Sequence, residues 1–534
     1  MPCRSRKTAD TRRHAPRQDL GLSRREILRR LPSLAGLPLL GRASSALARP
    51  IFSADPFSLG VASGDPDDSS VVLWTRLAPR PLDPDGGMPP EPVEVWWELA
   101  DDEGFRRVVT SGKTHATPQL GHSVHVEPAG LDPDRWYFYR FGCGDASSPV
   151  GRTRTFPSPE QLASRLRFAV TSCQNYEQGL YTAYEQMARD DVDLVCHLGD
   201  YIYEYEAGRN GKVRTHVGPE ITSLADYRVR HAQYRSDPLL HGMHAACPWV
   251  VTWDDHEFDN NCAGAISEER GVDPSAFLER RANAYQAYYE AMPIRSACLP
   301  RGSDMRLYRR CSFGRLAEFL VLDTRQYRSD QPNGDRNTPP NDAARASTQT
   351  LLGLEQRAWL QQRLLTSPAA WNVLTQQVMM TAVRLGPAGA EPGCSMDQWP
   401  GYLAERDMLL RFMLERQVSN PVVLTGDIHS AWANEVRIDD LAADAPIIAT
   451  ELVATSLSSG GNGPEKPVGL DRILATNPGV KYHNGERGYI RCTVTPREWR
   501  SDFMVIDDVL APGGRTFPRA AFVIQSGDPR IHPA

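Results

Sequence analysis

Four apolar, strand-like runs in this chain each stop abruptly on polar residues able to hold a cation, and that repetition restricts the fold more than any other feature. The runs are LRFAVTS before Cys173, DVDLVCHLG before Asp200, WVVTW before Asp254 and Asp255, and VVLTG before Asp427. Helical spacing intervenes in GLYTAYEQMARD and around 276–291, 354–365 and 402–417. Strand–helix alternation with chemistry at the strand ends predicts an α/β layered architecture.

Each cluster has a bland reading beside the chemical one. Cys173 alone fits a small buried hydrophobe as well as a ligand. Asp200 follows Gly199, which permits a tight turn, and a carboxylate there can bridge two cations. Tyr203, three residues on, can reach the same ion as a phenolate if a strong Lewis acid such as trivalent iron takes its proton; otherwise the pair is a capping Asp and a packing Tyr. Asp254, Asp255, His256, Glu257, Asp259 and Asn260 crowd one turn. Like charges so close raise one another's pKa unless cations neutralise them, and a merely solvated acidic loop would need neither a buried strand before it nor a histidine. Asp427 and His429, one residue apart, can both approach neighbouring ions. No G-x-S-x-G elbow and no P-loop competes, and SLSSGGNGPE (456–465) reads as a flexible Ser/Gly loop near the site.

The 534 residues suit two or three domains. Residues 52–157 carry short β-branched and aromatic runs punctuated by Pro, Asp and Gly, which predict a small all-β domain of immunoglobulin or fibronectin type. FPSPE (156–160) is the expected linker, 166–510 the catalytic domain and 511–534 a C-terminal tail. Near that tail, the stretch 509–527 reads more as a strand pair than as a covering helix. Residues 1–48 hold 11 Lys/Arg against 3 Asp/Glu, leaving 49 basic and 63 acidic residues in the remainder. Arg24 and Arg25 in SRREIL, a modest apolar stretch at 31–40 and Ala46-Leu47-Ala48 read as a twin-arginine signal. The expected partner is therefore the twin-arginine translocation machinery, and the expected location is periplasmic or secreted. Two prolines in a short apolar stretch exclude a transmembrane helix there. The acidic remainder argues against a nucleic-acid scaffold role and suits hard cations. Of ten cysteines, Cys298 and Cys311 are the candidate disulfide for an oxidising compartment.

Taken together, the motifs resemble the metallophosphoesterase superfamily, related to the purple acid phosphatases, and within it the PhoD-type alkaline phosphatases. The resemblance rests on GDYIYE, on DDHE where relatives carry Gly-Asn-His-Glu, on GDIH in place of Gly-His-x-His and on SCQN. FSLGVASGDPDDSSVVLWTRLAP and LDTRQYRSDQ add to it. It covers roughly residues 56–510. It implies a four-layer α/β/β/α metallophosphoesterase sandwich after the small β domain, and an exported phosphatase or phosphodiesterase using metal-activated hydroxide. By similarity, Cys173, Asp200 and Tyr203 ligate Fe3+, with His429 completing that shell. Asp200 also bridges to Ca2+, for which Asp255, Asn260 and Asp427 are further candidates. Gln376 and Gln377 stand in WNVLTQQ where other superfamily members place a histidine, which favours calcium over a Zn2+ or Mn2+ dinuclear site. His256 is the expected phosphoryl stabiliser or leaving-group acid. Arg325 is either a bidentate phosphate ligand or the partner of Asp323. The substrates expected are phosphate mono- or diesters. The rival readings are a phospholipase-D-like phosphodiesterase and a non-catalytic exported binding protein with a structural metal centre.

Overall fold

Strands form where the apolar runs lie. The computed structural model describes residues 52 and 54–534 apart from 212, 387–390 and 441; the twin-arginine expectation for 1–48 falls outside them. Residues 61–154 supply β1 (Val61–Gly64), β2 (Val72–Arg76), β3 (Val93–Ala100), β4 (Val108–Ala116), β5 (Ser123–Val126), β6 (Trp136–Cys143), β7 (Ala146–Ser147) and β8 (Gly151–Arg154). Then come β9 (Leu166–Thr171), β10 (Leu194–His197), β11 (Trp249–Val251), β12 (Arg309–Phe313), β13 (Ala317–Val321), β14 (Trp371–Thr375) and β15 (Pro421–Thr425). The series ends with β16 (Ala431–Arg437), β17 (Ile447–Val453), β18 (Val480–Asn484), β19 (Arg487–Val494), β20 (Glu498–Ile506), β21 (Thr516–Gln525) and β22 (Asp528–Pro533).

These build a ten-stranded sheet in the order β22-β21-β20-β19-β9-β10-β11-β1-β2-β5 and a seven-stranded sheet in the order β12-β13-β14-β15-β17-β16-β18. A five-stranded sheet runs β4-β3-β6-β7 with β8 paired to β6. In the first, β9, β10 and β11 are parallel neighbours, with Cys196 opposite both Val170 and Val250. In the second, β13, β14 and β15 are parallel neighbours. Side chains alternate between the two faces of a strand. Phe168, Val170, Leu194 and Val250 therefore meet Phe319, Val373 and Leu424 in a core shared by the two large sheets. Ala169, Val195 and Trp249 join Tyr184, Tyr227, Leu240 and Tyr285 in a second core, made with helices Ala183–Arg189, Leu224–Arg235, Pro238–Ala246 and Pro274–Ala291. Leu320, Leu374 and Val423 pack on Leu360, Leu364, Leu409 and Leu410, from helices Gly353–Thr366 and Leu403–Glu415. Strands buried on both faces must be almost continuously apolar, which is why the runs were conspicuous in the sequence. Two of the helices open on Asp-Pro. Asp237 and Asp273 each accept two backbone N–H bonds as N-caps, ahead of a proline whose missing N–H needs no partner.

Three expectations are corrected. The β region over 52–157 is not free-standing: β1, β2 and β5 extend the ten-stranded sheet through the β1–β11 pairing at Gly64 and Trp249. Its own core, with Phe57, Val61 and Leu73 facing Val95, Leu99, Tyr137 and Tyr139, lies between those strands and the five-stranded sheet. Residues 511–534 are not a tail, because β21 and β22 continue the ten-stranded sheet beyond β20. The Cys298–Cys311 pair is not formed. Cys311 Sγ bonds the Pro66 carbonyl at 3.1 Å in the core between the sheets, while Cys298 packs in the helix-side core. Among the described residues no helix is long and apolar enough to cross a membrane.

Candidate metal centre

Two sets of parallel strand ends converge. Cys173 follows β9, Asp200 follows β10 and Asp254–Glu257 follow β11, while Arg325 follows β13 and Asp427 and His429 follow β15. The turns that carry them are sharp. Cys173, Asp200, Asp427 and His429 have φ of +56°, +53°, +67° and +54°, a left-handed backbone that costs a non-glycine residue about 1–2 kcal/mol. Gly199 precedes Asp200 at φ +109°, and a Cβ there would lie 2.4 Å from Asp254 Cβ and 2.5 Å from its nitrogen. Only glycine lets the β10 and β11 turns approach this closely.

Glu257 holds the two turns together. Its Oε2 accepts the backbone N–H groups of Asp200 (3.0 Å) and Asp254 (2.7 Å), and its Oε1 accepts that of Tyr201 (2.5 Å). Buried N–H groups left without an acceptor cost about 1–3 kcal/mol each. Glu257→Ala is therefore expected to lower stability by about 3 kcal/mol or more, read as a reduced midpoint in urea unfolding at unchanged slope.

Cys173, Asp200 and His429 present ligand atoms all within 4.8 Å of one another, and Asp200, Asp255 and His256 form a second such group. Asp254, Asp255 and Asp427 form a third. Tyr203 Oη donates to Asp200 Oδ2 at 2.8 Å and lies 3.1 Å from His429 Nε2. Asp200 Oδ1 and Asp254 Oδ2 are buried without a hydrogen-bond partner, and such orphaned acceptors are costly unless a cation or water satisfies them. Burial and the neighbouring Asp200 push the Cys173 thiol and the Tyr203 phenol well above their ordinary ranges. Burial lifts Asp427 to about 7 against the pull of Arg325. A thiol, a phenol and several carboxylates packed this tightly, with acceptors left open, form a donor set that fits metal ions.

Of the residues singled out in the sequence, Asn260 donates its amide N–H to Glu268 and its backbone N–H to Glu204 Oε1 at 3.2 Å. His256 is buried, with Nδ1 2.8 Å from Glu204 Oε2 and its ring 4.2 Å from that of Tyr203. Burial opposes the charge on His256, but Glu204, Asp200 and Asp255 outweigh it and hold the imidazole well above its usual pKa. Burial likewise opposes the Asp255 charge, yet Arg325, His256 and the Asn261 N–H keep that carboxyl below the usual range.

Arg325 corrects the sequence reading on both counts. Its side chain is fully buried: Nε donates to Asp254, Nη1 to both oxygens of Asp397 (2.9 and 3.0 Å) and Nη2 to Asp427 Oδ1 (2.9 Å), with Asp255 3.6 Å away. A guanidinium surrounded by four carboxylates cannot also clamp a phosphate, and Asp323 receives only its backbone N–H. Gln376 and Gln377 are structural. The first bonds Trp399 Nε1 and the Val378 carbonyl; the second bonds Thr324, Thr252 and the Leu322 carbonyl. The Ser/Gly loop is not loose where it passes the centre, since Ser456, Ser458 and Ser459 are fully buried. Glu204, Asp397 and Ser459 were missed. Glu204 stands inside the quoted GDYIYE and Ser459 inside the quoted Ser/Gly loop, so both had a local signal; Asp397 had none.

The geometry can now be set beside known proteins. The PhoD-like phosphatase family model matches residues 168–503, and its N-terminal domain model matches residues 42–157. Alkaline phosphatase D of Bacillus subtilis (strain 168) is 50% identical over 518 residues, covering 95% of this chain and 88% of that protein. A solved structure of PhoD superposes with a TM-score of 0.88 at 51% identity, covering 91% of this chain and 94% of the other.

Proposed function

The chain belongs to the PhoD-like phosphatase family and is a phosphate-ester hydrolase, and from that premise we propose that it works through a mixed iron(III)–calcium centre held by Cys173, Asp200, Tyr203, His429, Asp255 and Asp427. The observation that carries the reading is the group of buried Cys173 and Asp200 with the half-buried His429, and the Tyr203 phenol in hydrogen-bond reach of the last two. Asn260 is the remaining candidate, through its carbonyl oxygen, because Glu268 takes its N–H2. Bound there, the ions would supply positive charge for the phosphoryl oxygens and Lewis acidity.

The chain's own groups do the rest. Asp200 would help to hold both ions, its Oδ2, which accepts the Tyr203 hydroxyl here, being freed for that role when the phenol gives up its proton. Glu204 takes Nδ1 of His256, which fixes the ring and leaves Nε2 to hand a proton to the departing alkoxide. Arg325 neutralises and orients Asp254, Asp397 and Asp427. It is a positioning residue. Glu204→Gln removes the orienting charge and is expected to lower turnover roughly 10–100-fold with metal content unchanged, checked by steady-state rates alongside elemental analysis.

Export by the twin-arginine route to the periplasm or beyond, with the translocation machinery as partner, and action on diesters as well as monoesters belong to the same proposal. So do the four-layer α/β/β/α order, supported by cores on both outer faces of the two sheets and between them, and a boundary at about 157–166 between the catalytic region and an N-terminal β region that shares β1, β2 and β5 with its sheet.

The deciding experiment is elemental analysis of purified protein with nitrophenyl and bis-nitrophenyl phosphate rates measured in parallel. Iron with calcium, a visible tyrosinate-to-iron band and activity abolished by chelation are expected. Zinc or manganese without the band would sink the Cys173–Tyr203 assignment.

A further inference from the structure

Behind Tyr203 lies a hydroxyl that the reaction scheme does not use. Ser459 Oγ sits 2.8 Å from Tyr203 Oη and 2.7 Å from the Cys173 carbonyl, and it accepts the Asn175 N–H at 3.0 Å. A serine has one proton for those two acceptors. A neutral phenol and a peptide carbonyl compete for it on similar terms. A phenolate is the stronger acceptor, since hydrogen bonds to charged groups are shorter and roughly twice as strong.

The loop that carries this hydroxyl is immobilised. Leu457 N–H donates to the Ser172 carbonyl at 2.9 Å, Ser459 N–H to the Cys173 carbonyl at 3.2 Å, and Ser458 Oγ to the Asn175 carbonyl at 2.9 Å. Arg487 closes it from behind. Its Nη1 donates to the Ser459 carbonyl at 2.6 Å and to Ser456 Oγ, and its Nη2 donates to the Gly485 carbonyl. Arg487 is 6% exposed, and among the described residues it forms no ion pair within 4 Å and its Nε has no partner. A buried guanidinium spent on carbonyl and hydroxyl oxygens, with Nη1 on the Ser456–Ser459 loop and Nη2 on the β18–β19 turn, is a device for pinning that loop to the sheet.

We infer that Ser459, clamped by Arg487, is a positioning residue for the metal centre: its hydroxyl donates to the Tyr203 phenolate and sets how strongly that oxygen gives electrons to the ion. The inference rests on the reading of Tyr203 as a ligand. A donor on the phenolate oxygen lowers the energy of its lone pairs. Losing it raises them and brings the tyrosinate-to-metal transition to lower energy.

The test is the visible spectrum of metal-loaded protein for the unsubstituted chain, S459A and S459T, each with iron measured on the same sample. S459A deletes one atom and leaves the Arg487 bond to the backbone carbonyl in place, so it is expected to fold. At unchanged iron its band should move to longer wavelength, while S459T, which restores the hydroxyl, should return it towards the original position. A band that stays put in S459A at full iron overturns the inference alone. Iron without any tyrosinate band in the unsubstituted protein overturns the ligand reading, and this inference with it.

Discussion

Replacing His256 with alanine is expected to lower turnover by about 10^2–10^4-fold, the usual loss when a positioned acid is removed, without releasing metal. Cys173, Asp200, Tyr203, His429 and Asp427 stay in place, and the ring sits with one nitrogen committed to Glu204. The loss should depend on the leaving group. Nitrophenolate departs without help, so nitrophenyl phosphate should be affected less than an alkyl phosphate, whose alkoxide needs the proton. Equal losses on both would mean that His256 acts on the phosphoryl oxygens instead. Loss of metal in the variant would make it a ligand, as its place beside Asp200 and Asp255 allows.

Arg325→Met is expected to produce the largest fall in stability. It leaves Asp254, Asp255, Asp397 and Asp427 facing one another without the cation that now sits among them. Removing one side of a buried charge cluster costs about 3–5 kcal/mol, a large part of a domain's net stability. Denaturant unfolding should show the deficit most clearly in metal-depleted protein, because bound cations would take over part of the neutralisation. Arg325→Lys should recover little, since the three N–H donors of an ammonium radiate from one atom and cannot reach the separate carboxylates that Nε, Nη1 and Nη2 serve. A variant as stable as the parent, with a raised KM for phosphate esters, would restore the phosphate-clamp reading of this residue.

Much of the centre was legible in the sequence because each cluster couples a local signal, a strand apolar on both faces, with side chains that have no reason to follow it unless they do chemistry. That logic singled out Cys173, Asp200, Tyr203, His256, Asp427 and His429, which the fold brings close together. It failed where meaning depends on distant partners. Arg325 after β13 looks the same whether it faces a substrate or four carboxylates supplied by three other stretches of chain. Ser459 lies 256 residues from Tyr203, and Asp397 lies 72 from Arg325, so no spacing rule could join them. At the level of the fold, short aromatic runs announced strands over 61–154 but not which sheet each would enter. The pairing of β1 with β11 is one residue long and leaves no trace in composition. The strand pair near the C-terminus was visible as a pattern; its place on the ten-stranded sheet was not.

The pairing of β19 with β9, which sets Ile490 against Val170, has a consequence for the order in which this protein can be made. β9 and β10 carry Cys173 and Asp200, yet the sheet beside β9 is completed only by residues 487–533. At ~5–20 residues per second, the ribosome needs on the order of tens of seconds to travel from β9 to β22. Through that interval β9 offers an unpaired, largely apolar edge, the kind of surface that aggregates or recruits a chaperone, and for most of it the left-handed turn at Cys173 lacks the Ser456–Ser459 loop that packs against it. Closure between segments so far apart is also slow in itself. Assembly of the centre must therefore wait for the final strands, and a nascent chain stopped before residue 487 should be found with holding factors and unable to retain metal.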